Sequence, residues 1–518
     1  MVPPSAWVGE MSQRVWSLFS IALVLVAGGL YVGSTVRCGS LGFPLDDGWI
    51  HQTYARNLAQ TGQFAYVPGR PSAGSTSPLW TLLLAAGYVL RVPSTLWAYI
   101  LGGAAWLLSA WASAALARRL FPERRAVAMW VGLACLLEWH MAWAAFSGME
   151  TMLFVFLSML LIERYAAKAH PFLLGLIGGM LLLARPEGVV LIGLLLLVML
   201  LERVWVPVAE EGIWSKGVLL VLVDLGAGLA ALIVPYVVFN EIVSGQPFPN
   251  TFYAKQAEYQ AYLAMGLHVR LWRVFYPPLI GAQILLLPAF VWRAATALGD
   301  FARRDKLMGA SISPFLRLLP AAWWAAYLGI YALRMPVNYQ HGRYLMPTIP
   351  FLLLYGIVGM SRWLRPRSPR VAVRLISRAM PLAVGCTFVA FLLLGAQAYA
   401  DDVCVINGEM VDVARWLSTS TPADALVAAH DIGAIGYLGK RPLLDLAGLI
   451  TPEVIPFIRD EERLLEFVLA QEADYLVTFP SWYPQMTADE RLAVVYQTDY
   501  PLTREKGGDN MAVYEIRD

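Results

Sequence analysis

The sequence predicts a mainly α protein: a polytopic transmembrane helical bundle of about eleven spans with a cytoplasmic N-terminus. Juxtamembrane helices are expected in the first outer loop, and a small extracytoplasmic α/β domain at the C-terminus. Three observations carry this. Hydrophobic residues make up 58% of the 518 and charged residues only 15%, short of the ~25% of soluble domains, so much of the chain needs a solvent other than water. The apolar residues are gathered into runs long enough to cross a bilayer. The basic residues are shared unevenly between alternate loops.

At about 20 residues per span, the apolar runs fall near residues 16–36, 95–116, 126–146, 151–167, 171–186, 188–202, 217–239, 276–293, 316–334, 345–360 and 379–399. The first, Trp16 to Val36, lacks a small-residue cleavage site and reads as a signal-anchor. One more apolar stretch, Pro78–Val92, is either a twelfth span or a helix lying at the membrane surface.

Lys/Arg bias decides between these. If Pro78–Val92 stays on one side, Arg118, Arg119, Arg124, Arg125, Arg293, Arg303, Arg304, Lys306 and Arg317 share a face with Arg362, Arg365, Arg367, Arg370, Arg374 and Arg378. The opposite loops then hold chiefly Arg56, Arg70, Arg185, Lys255, Arg334 and Arg343. Cytoplasmic loops carry the basic excess, so the surface-helix reading holds and the tail lies outside.

Residues 1–400 are read as the membrane domain and 401–518 as the tail domain, the character changing at Asp401–Asp402. In the tail, Val411–Leu417 and Glu461–Gln471 are helix-like, while Ala425–Ala429, Tyr475–Phe479 and Val513–Ile516 are strand-like. About 115 residues are enough for a core of their own. Trp416, Trp482 and Tyr483 are candidates for stacking on sugar rings, with core packing the alternative for Trp416.

A net charge of +2 argues against nucleic acid as a partner. The four cysteines form no metal-binding spacing. Cys135 and Cys386 lie inside apolar runs. Cys38 and Cys404 each follow the outer end of a span, leaving a disulfide or two free thiols open.

With sidedness assigned, the outer loops hold the unusual chemistry. The first contains Asp46-Asp47, followed by Tyr54 and Arg56. Neighbouring carboxylates repel, so one is a candidate general base; either is equally suited to start the helix carrying Tyr54. The second loop holds Glu150 within Gly148-Met149-Glu150. The third, Arg185-Pro186-Glu187-Gly188, has two charges that can simply pair. The fourth runs Pro249-Asn250-Thr251-Phe252-Tyr253-Ala254-Lys255, its lysine either a phosphate ligand or an interfacial anchor. The fifth contains His341-Gly342-Arg343-Tyr344, where Arg343 suits a lipid headgroup or a phosphate and His341 either binds substrate or serves the loop.

This ordered set resembles the GT-C glycosyltransferases, in particular the terminal arabinofuranosyltransferases of actinobacterial cell walls. Protein O-mannosyltransferases and the aminoarabinose transferases of lipid A are more distant. The resemblance covers about residues 10–400, and the tail's Asp431-Ile432-Gly433-Ala434-Ile435-Gly436-Tyr437 and Asp445-Leu446-Ala447-Gly448-Leu449 also fit it. It implies transfer of a sugar from a polyprenyl-phosphate donor to a glycan, lipid or protein acceptor outside the cytoplasm, with membrane lipids as surroundings. It implies Asp46 or Asp47 as the first-loop acid that deprotonates the acceptor hydroxyl, and Glu150 as the second-loop catalytic acid that helps shape the acceptor or metal site. It implies Arg185, Lys255 and Arg343 around the donor phosphate, and Tyr54, Arg56, Asn250, Tyr253, His341 and Tyr344 as substrate contacts. It leaves room for a divalent metal ion held by Asp46, Asp47 or Glu150. A single essential carboxylate suits inversion by direct displacement.

Three rivals fit less well. A surface-polysaccharide polymerase or ligase places its chemistry in a large late loop, whereas here the acids come early. A transporter puts ionisable groups mid-membrane, where Asp224 is the main example here. A sensor leaves the loop motifs without a role.

Overall fold

The computed structural model describes residues 13–205, 216–302 and 312–517. Arg303, Arg304 and Lys306, counted in the sidedness argument, lie outside the described residues.

Each expected span corresponds to a helix. Seven described helices are long and apolar enough to cross a membrane, eight if a bent pair counts as one. The chain is a multi-pass membrane protein. The helices Thr151–Ala166, Pro171–Ala184 and Gly188–Trp205 are shorter. Close packing joins Pro171–Ala184 to Lys216–Ser244 through glycines: a Cβ on Gly175 would lie 2.1 Å from the Leu225 carbonyl oxygen, and one on Gly228 2.2 Å from that of Phe172.

Two expectations change in detail. The run 126–146 is not one helix. It breaks at Glu138 into Arg125–Leu137 and Trp139–Ala145, bent by 58°. Glu138 accepts the Met141 N–H as the new helix's cap and also binds His140 and Gln283. The helix expected over 276–293 begins at Gln283 and runs to Ala302. Pro277 and Pro278 form a short 3-10 turn, and Gly281 has φ of 130°. These two features delay its start.

Pro78–Val89 is a 12-residue helix, about 18 Å long against a hydrocarbon core of ~30 Å. It packs beside Asp47–Thr61 and is pinned by Trp80 Nε1 donating to the Gly148 carbonyl at 2.8 Å.

Several helices run between the same two ends. Ser94–Leu120 starts where Ser94 meets Tyr437 of the tail and finishes at Arg118 and Arg119, the latter paired with Glu163. Ile349–Trp363 follows Arg343 and ends with Arg362 paired to Glu123. Arg293 lies over the Phe121 ring at this second end. Among the described residues, Arg119, Arg293 and Arg362 therefore lie at one end of the bundle, and Asp46 and Asp47, with Arg343, lie at the other, beneath the tail.

The last membrane helix, Val371–Ile406, continues through a π-turn at Asn407–Val411 into Asp412–Ser420 without leaving helical geometry. The tail then forms a five-stranded sheet: β1 (Val427–Ala429), β2 (Leu443–Asp445), β3 (Tyr475–Thr478), β4 (Leu492–Gln497) and β5 (Ala512–Ile516). The order is β2-β1-β3-β5-β4, with β2, β1 and β3 parallel and β5 antiparallel to both neighbours. Cys38 and Cys404 form a disulfide, their Cα atoms 4.9 Å apart. It ties the end of the first helix to the helix that enters the tail.

Candidate active site

Asp47 opens the helix Asp47–Thr61, whose turns pack against Pro78–Val89 and the tail. Its carboxylate forms an ion pair with Arg343 Nη2, and its side chain keeps 32% exposure while that of Arg343 is only 7% exposed. Burial would raise the Asp47 carboxyl. Arg343, Lys255 and His51 outweigh it and hold the group well below the usual carboxylate range.

Asp46 faces elsewhere. Its two oxygens accept the backbone N–H of Gly433 at 2.6 Å and of Ala434 at 2.7 Å, both in the tail. A Cβ on Gly433 would lie 2.0 Å from the Asp46 carbonyl oxygen, so only glycine admits this approach. Burial, with Asp431 adding to it, pushes the Asp46 carboxyl up to about 8 against those two bonds.

Beside them lies a cavity of about 420 Å³, bounded by Glu150, Arg185, Glu187, Lys255, Arg343 and Tyr344 at its polar end. Its other wall is apolar, with Val189, Phe248, Phe252, Ile330 and Met335. Three cations surround Tyr344. Arg343 Nη2 donates to its hydroxyl at 2.9 Å and Lys255 Nζ at 3.1 Å, while the Arg185 guanidinium carbon lies 5.1 Å from its ring centre. Lys255 sits on the helix Asn250–Glu258, and the charges of Tyr344 and Asp47 hold its ammonium above its ordinary value despite burial.

Glu150 lies 3.4 Å from both Arg185 Nη1 and His51 Nε2. Burial opposes its ionisation, but His51 and Arg185 bring it down to about 2. Arg185 also donates to the Tyr331 hydroxyl at 3.1 Å, and Tyr331 donates in turn to Glu187. The pairing of Arg185 with Glu187, expected as the plain alternative, is present at 3.5 Å alongside the contacts to Glu150.

Two donor atoms of Arg343 at this end, Nε and Nη1, are buried without a hydrogen-bond partner. Desolvated and unmatched donors are costly, and their place at the cavity points to a polar ligand.

The other expected contacts are placed away from the cavity wall. The Tyr54 hydroxyl meets Ser72 Oγ at 2.7 Å and accepts the Gly74 N–H at 3.0 Å. Arg56 donates to the Tyr437 carbonyl at 2.9 Å and lies over that ring. Asn250 reaches the Leu449 carbonyl of the tail at 3.5 Å. Tyr253 packs its ring against Phe252. His341 pairs with Asp402 at 2.8 Å between the rings of Trp139 and Trp143. In the tail, Trp416 stacks on Tyr496, Tyr483 is buried and Trp482 is exposed. His51 and Tyr331 were not singled out from sequence. His51 stands one helical turn after Asp47, a spacing that puts both on one face.

A metal ion finds no ready ligand set. Asp46 is engaged by backbone, Asp47 by Arg343, and Glu150 by His51 and Arg185. Among the described residues no group of three or more His, Cys, Asp or Glu is placed to hold one.

Comparison with solved structures adds the following. The chain superposes on ArnT from Cupriavidus metallidurans bound to undecaprenyl phosphate with a TM-score of 0.61 and 15% identity, over 97% of this chain and 98% of that one. The fold is that of the GT-C glycosyltransferases. The Archaeoglobus fulgidus oligosaccharyltransferase tethered to an acceptor peptide gives 0.60 and 12%, over 98% of this chain and 74% of that one. The same organism's AglB with an inhibitory peptide and a dolichol-phosphate gives 0.56 and 13%, over 89% and 69%. Residues 397–514 match a family model described as a domain of unknown function, DUF8728. Comparison with curated protein sequences gives no match.

Proposed function

We propose that this GT-C-fold protein moves a sugar from a polyprenyl-phosphate donor to an acceptor hydroxyl on the extracytoplasmic side, with inversion, in the assembly of envelope glycans or glycoconjugates. One observation carries the reading. Loops far apart in sequence bring the cations Arg343, Lys255 and Arg185 to one cavity that also has apolar lining, and a partly exposed carboxylate, Asp47, pairs with one of them, Arg343. That is the chemistry of a phosphate on a hydrocarbon tail.

In the proposed step, Asp47 takes the proton of the acceptor hydroxyl as its oxygen bonds to the anomeric carbon. The bond from that carbon to the phosphate oxygen breaks. The departing lipid phosphate gains a negative charge, which Arg343 and Lys255 stabilise. Arg185 holds Glu150 beside them. Asp46 anchors the start of the catalytic helix to the tail, so of the two adjacent acids Asp47 is assigned as the base. No step is routed through a metal.

The test supplies reconstituted protein with arabinofuranosyl and mannosyl polyprenyl phosphates and follows release of the free lipid phosphate. Release from one of these, and none from nucleotide sugars, supports the reading. Turnover only of nucleotide sugars contradicts it. Asp47 and Glu150, the acids of the site, come from the first two outer loops, which disfavours the polymerase reading with its large late loop.

A further inference from the structure

We infer that Asp47 and the donor phosphate compete for Arg343, so that the proposed base is set free only once the lipid phosphate occupies the site. This rests on the function proposed above and adds an order of events to it.

The geometry sets up the exchange. Arg343 directs Nη2 to Asp47 and to the Tyr344 hydroxyl, while its Nε and Nη1 are buried with no hydrogen-bond partner. A guanidinium offers five N–H groups in a planar fork that matches phosphate bidentately. Lys255 donates to the Tyr344 hydroxyl. An incoming phosphate therefore meets two unpartnered guanidinium nitrogens, which carry three N–H groups, and an ammonium, and offers them more oxygens than one carboxylate can. As the phosphate draws the Arg343 charge, Asp47 loses the partner that keeps it ionised and weakly basic. It becomes a better proton acceptor when there is a donor to react with.

The exchange falls to the side chain because the backbone is fixed. Gln340, His341 and Gly342 have consecutive φ values of 52°, 58° and 68°. Two of them are not glycine, a conformation that costs about 1 kcal/mol or more per residue and persists where the surroundings impose it. Here they do. Asp402 accepts from both His341 and Trp143 Nε1, at 2.8 and 2.9 Å. A Cβ on Gly342 would lie 2.5 Å from that of Pro277. Arg343 thus leaves a rigid point, with its long side chain as the moving part.

The test measures binding of undecaprenyl phosphate to the full-length protein in nanodiscs. The competition predicts that Asp47→Asn binds about tenfold more tightly than wild type, the scale of a close charge pair. Asp47→Ser, which removes the charge with a different shape, shifts affinity in the same direction. Glu150→Gln, an equal loss of charge at the same cavity, gives a smaller gain. In an Arg343→Ala background the Asp47→Asn gain disappears. Unchanged or weaker binding by both Asp47 variants, with Lys255→Ala still weakening it, overturns the competition and leaves the donor assignment standing. A gain that persists without Arg343 also overturns it. No binding by the wild type contradicts the donor assignment, and the competition falls with it.

Discussion

Asp46 and Asp47 are neighbours in sequence, and their oxygens go to different partners: one to the backbone of the tail, the other to a guanidinium at a cavity. Adjacency made both legible as candidates and could not separate them, because the choice depends on a partner almost 400 residues later. The account predicts that Asp47→Asn slows transfer by at least ~100-fold while the lipid phosphate still binds. Asp46→Asn is expected to keep more of the turnover and to loosen the tail, read as faster amide exchange at residues 431–437. Equal losses of turnover with unchanged exchange would contradict the division of roles. Among the cations, Arg185, Lys255 and Arg343 were singled out through the family resemblance, each with a plainer alternative, and the structure places all three at the cavity. His51 was not, since a lone histidine four residues after an acid carries little signal until Glu150 is seen beside it. Tyr54, Arg56 and His341 were picked from the right loops, but the structure engages them in joints between elements.

At the scale of elements, each expected apolar run overlaps described helix, and local chemistry shifted the ends and broke one run in two. The break at Glu138 was hidden because one acid in a long apolar run looks tolerable; its role as a helix cap needs the folded neighbours Gln283 and His140. In the tail, β1, β3 and β5 were found, whereas β2 is three residues long and β4 is an exposed edge with a register shift, so neither shows a clean alternation. The tail's docking carries a testable pH dependence. His430 lies 3.2 Å from Asp431 and 3.8 Å from Glu258, at the end of the helix that bears Lys255. Burial lowers its affinity for a proton, but Asp431 and Glu258 prevail and raise it from 6.5 to about 9. A raised folded-state value means the contribution is complete below pH ~6.5 and is lost as pH rises through ~9. Limited proteolysis of the junction near Glu258 should therefore accelerate from pH 6.5 to 9 in wild type. His430→Gln should flatten that dependence, and an unchanged profile in the variant would remove His430 from this role.

For the whole molecule, the loop charges, the disulfide and the placement of the site are mutually consistent. The Arg-rich loops share one end of the bundle, and the cavity, the tail and the Cys38–Cys404 bond lie at the other. Positive loops face the cytoplasm and disulfides persist outside it, so both rules support the orientation on which the proposed function rests. The account predicts two reactive thiols, Cys135 and Cys386, in denatured protein without reductant, and four after reduction. It also predicts that a cysteine placed at Ser368 is labelled only after the membrane is permeabilised, while one at Lys506 is labelled in intact cells. Labelling of the Ser368 position from outside would reverse the orientation and move the site to the cytoplasmic face.

The central claim is that the cavity holds a sugar on a polyprenyl phosphate. It is tested most directly by mass spectrometry of the lipids retained by gently purified wild type and Asp47→Asn. The account predicts a polyprenyl-phosphate sugar that accumulates in the variant, because the donor still binds and its transfer is blocked. Bulk phospholipid alone in both samples would contradict it.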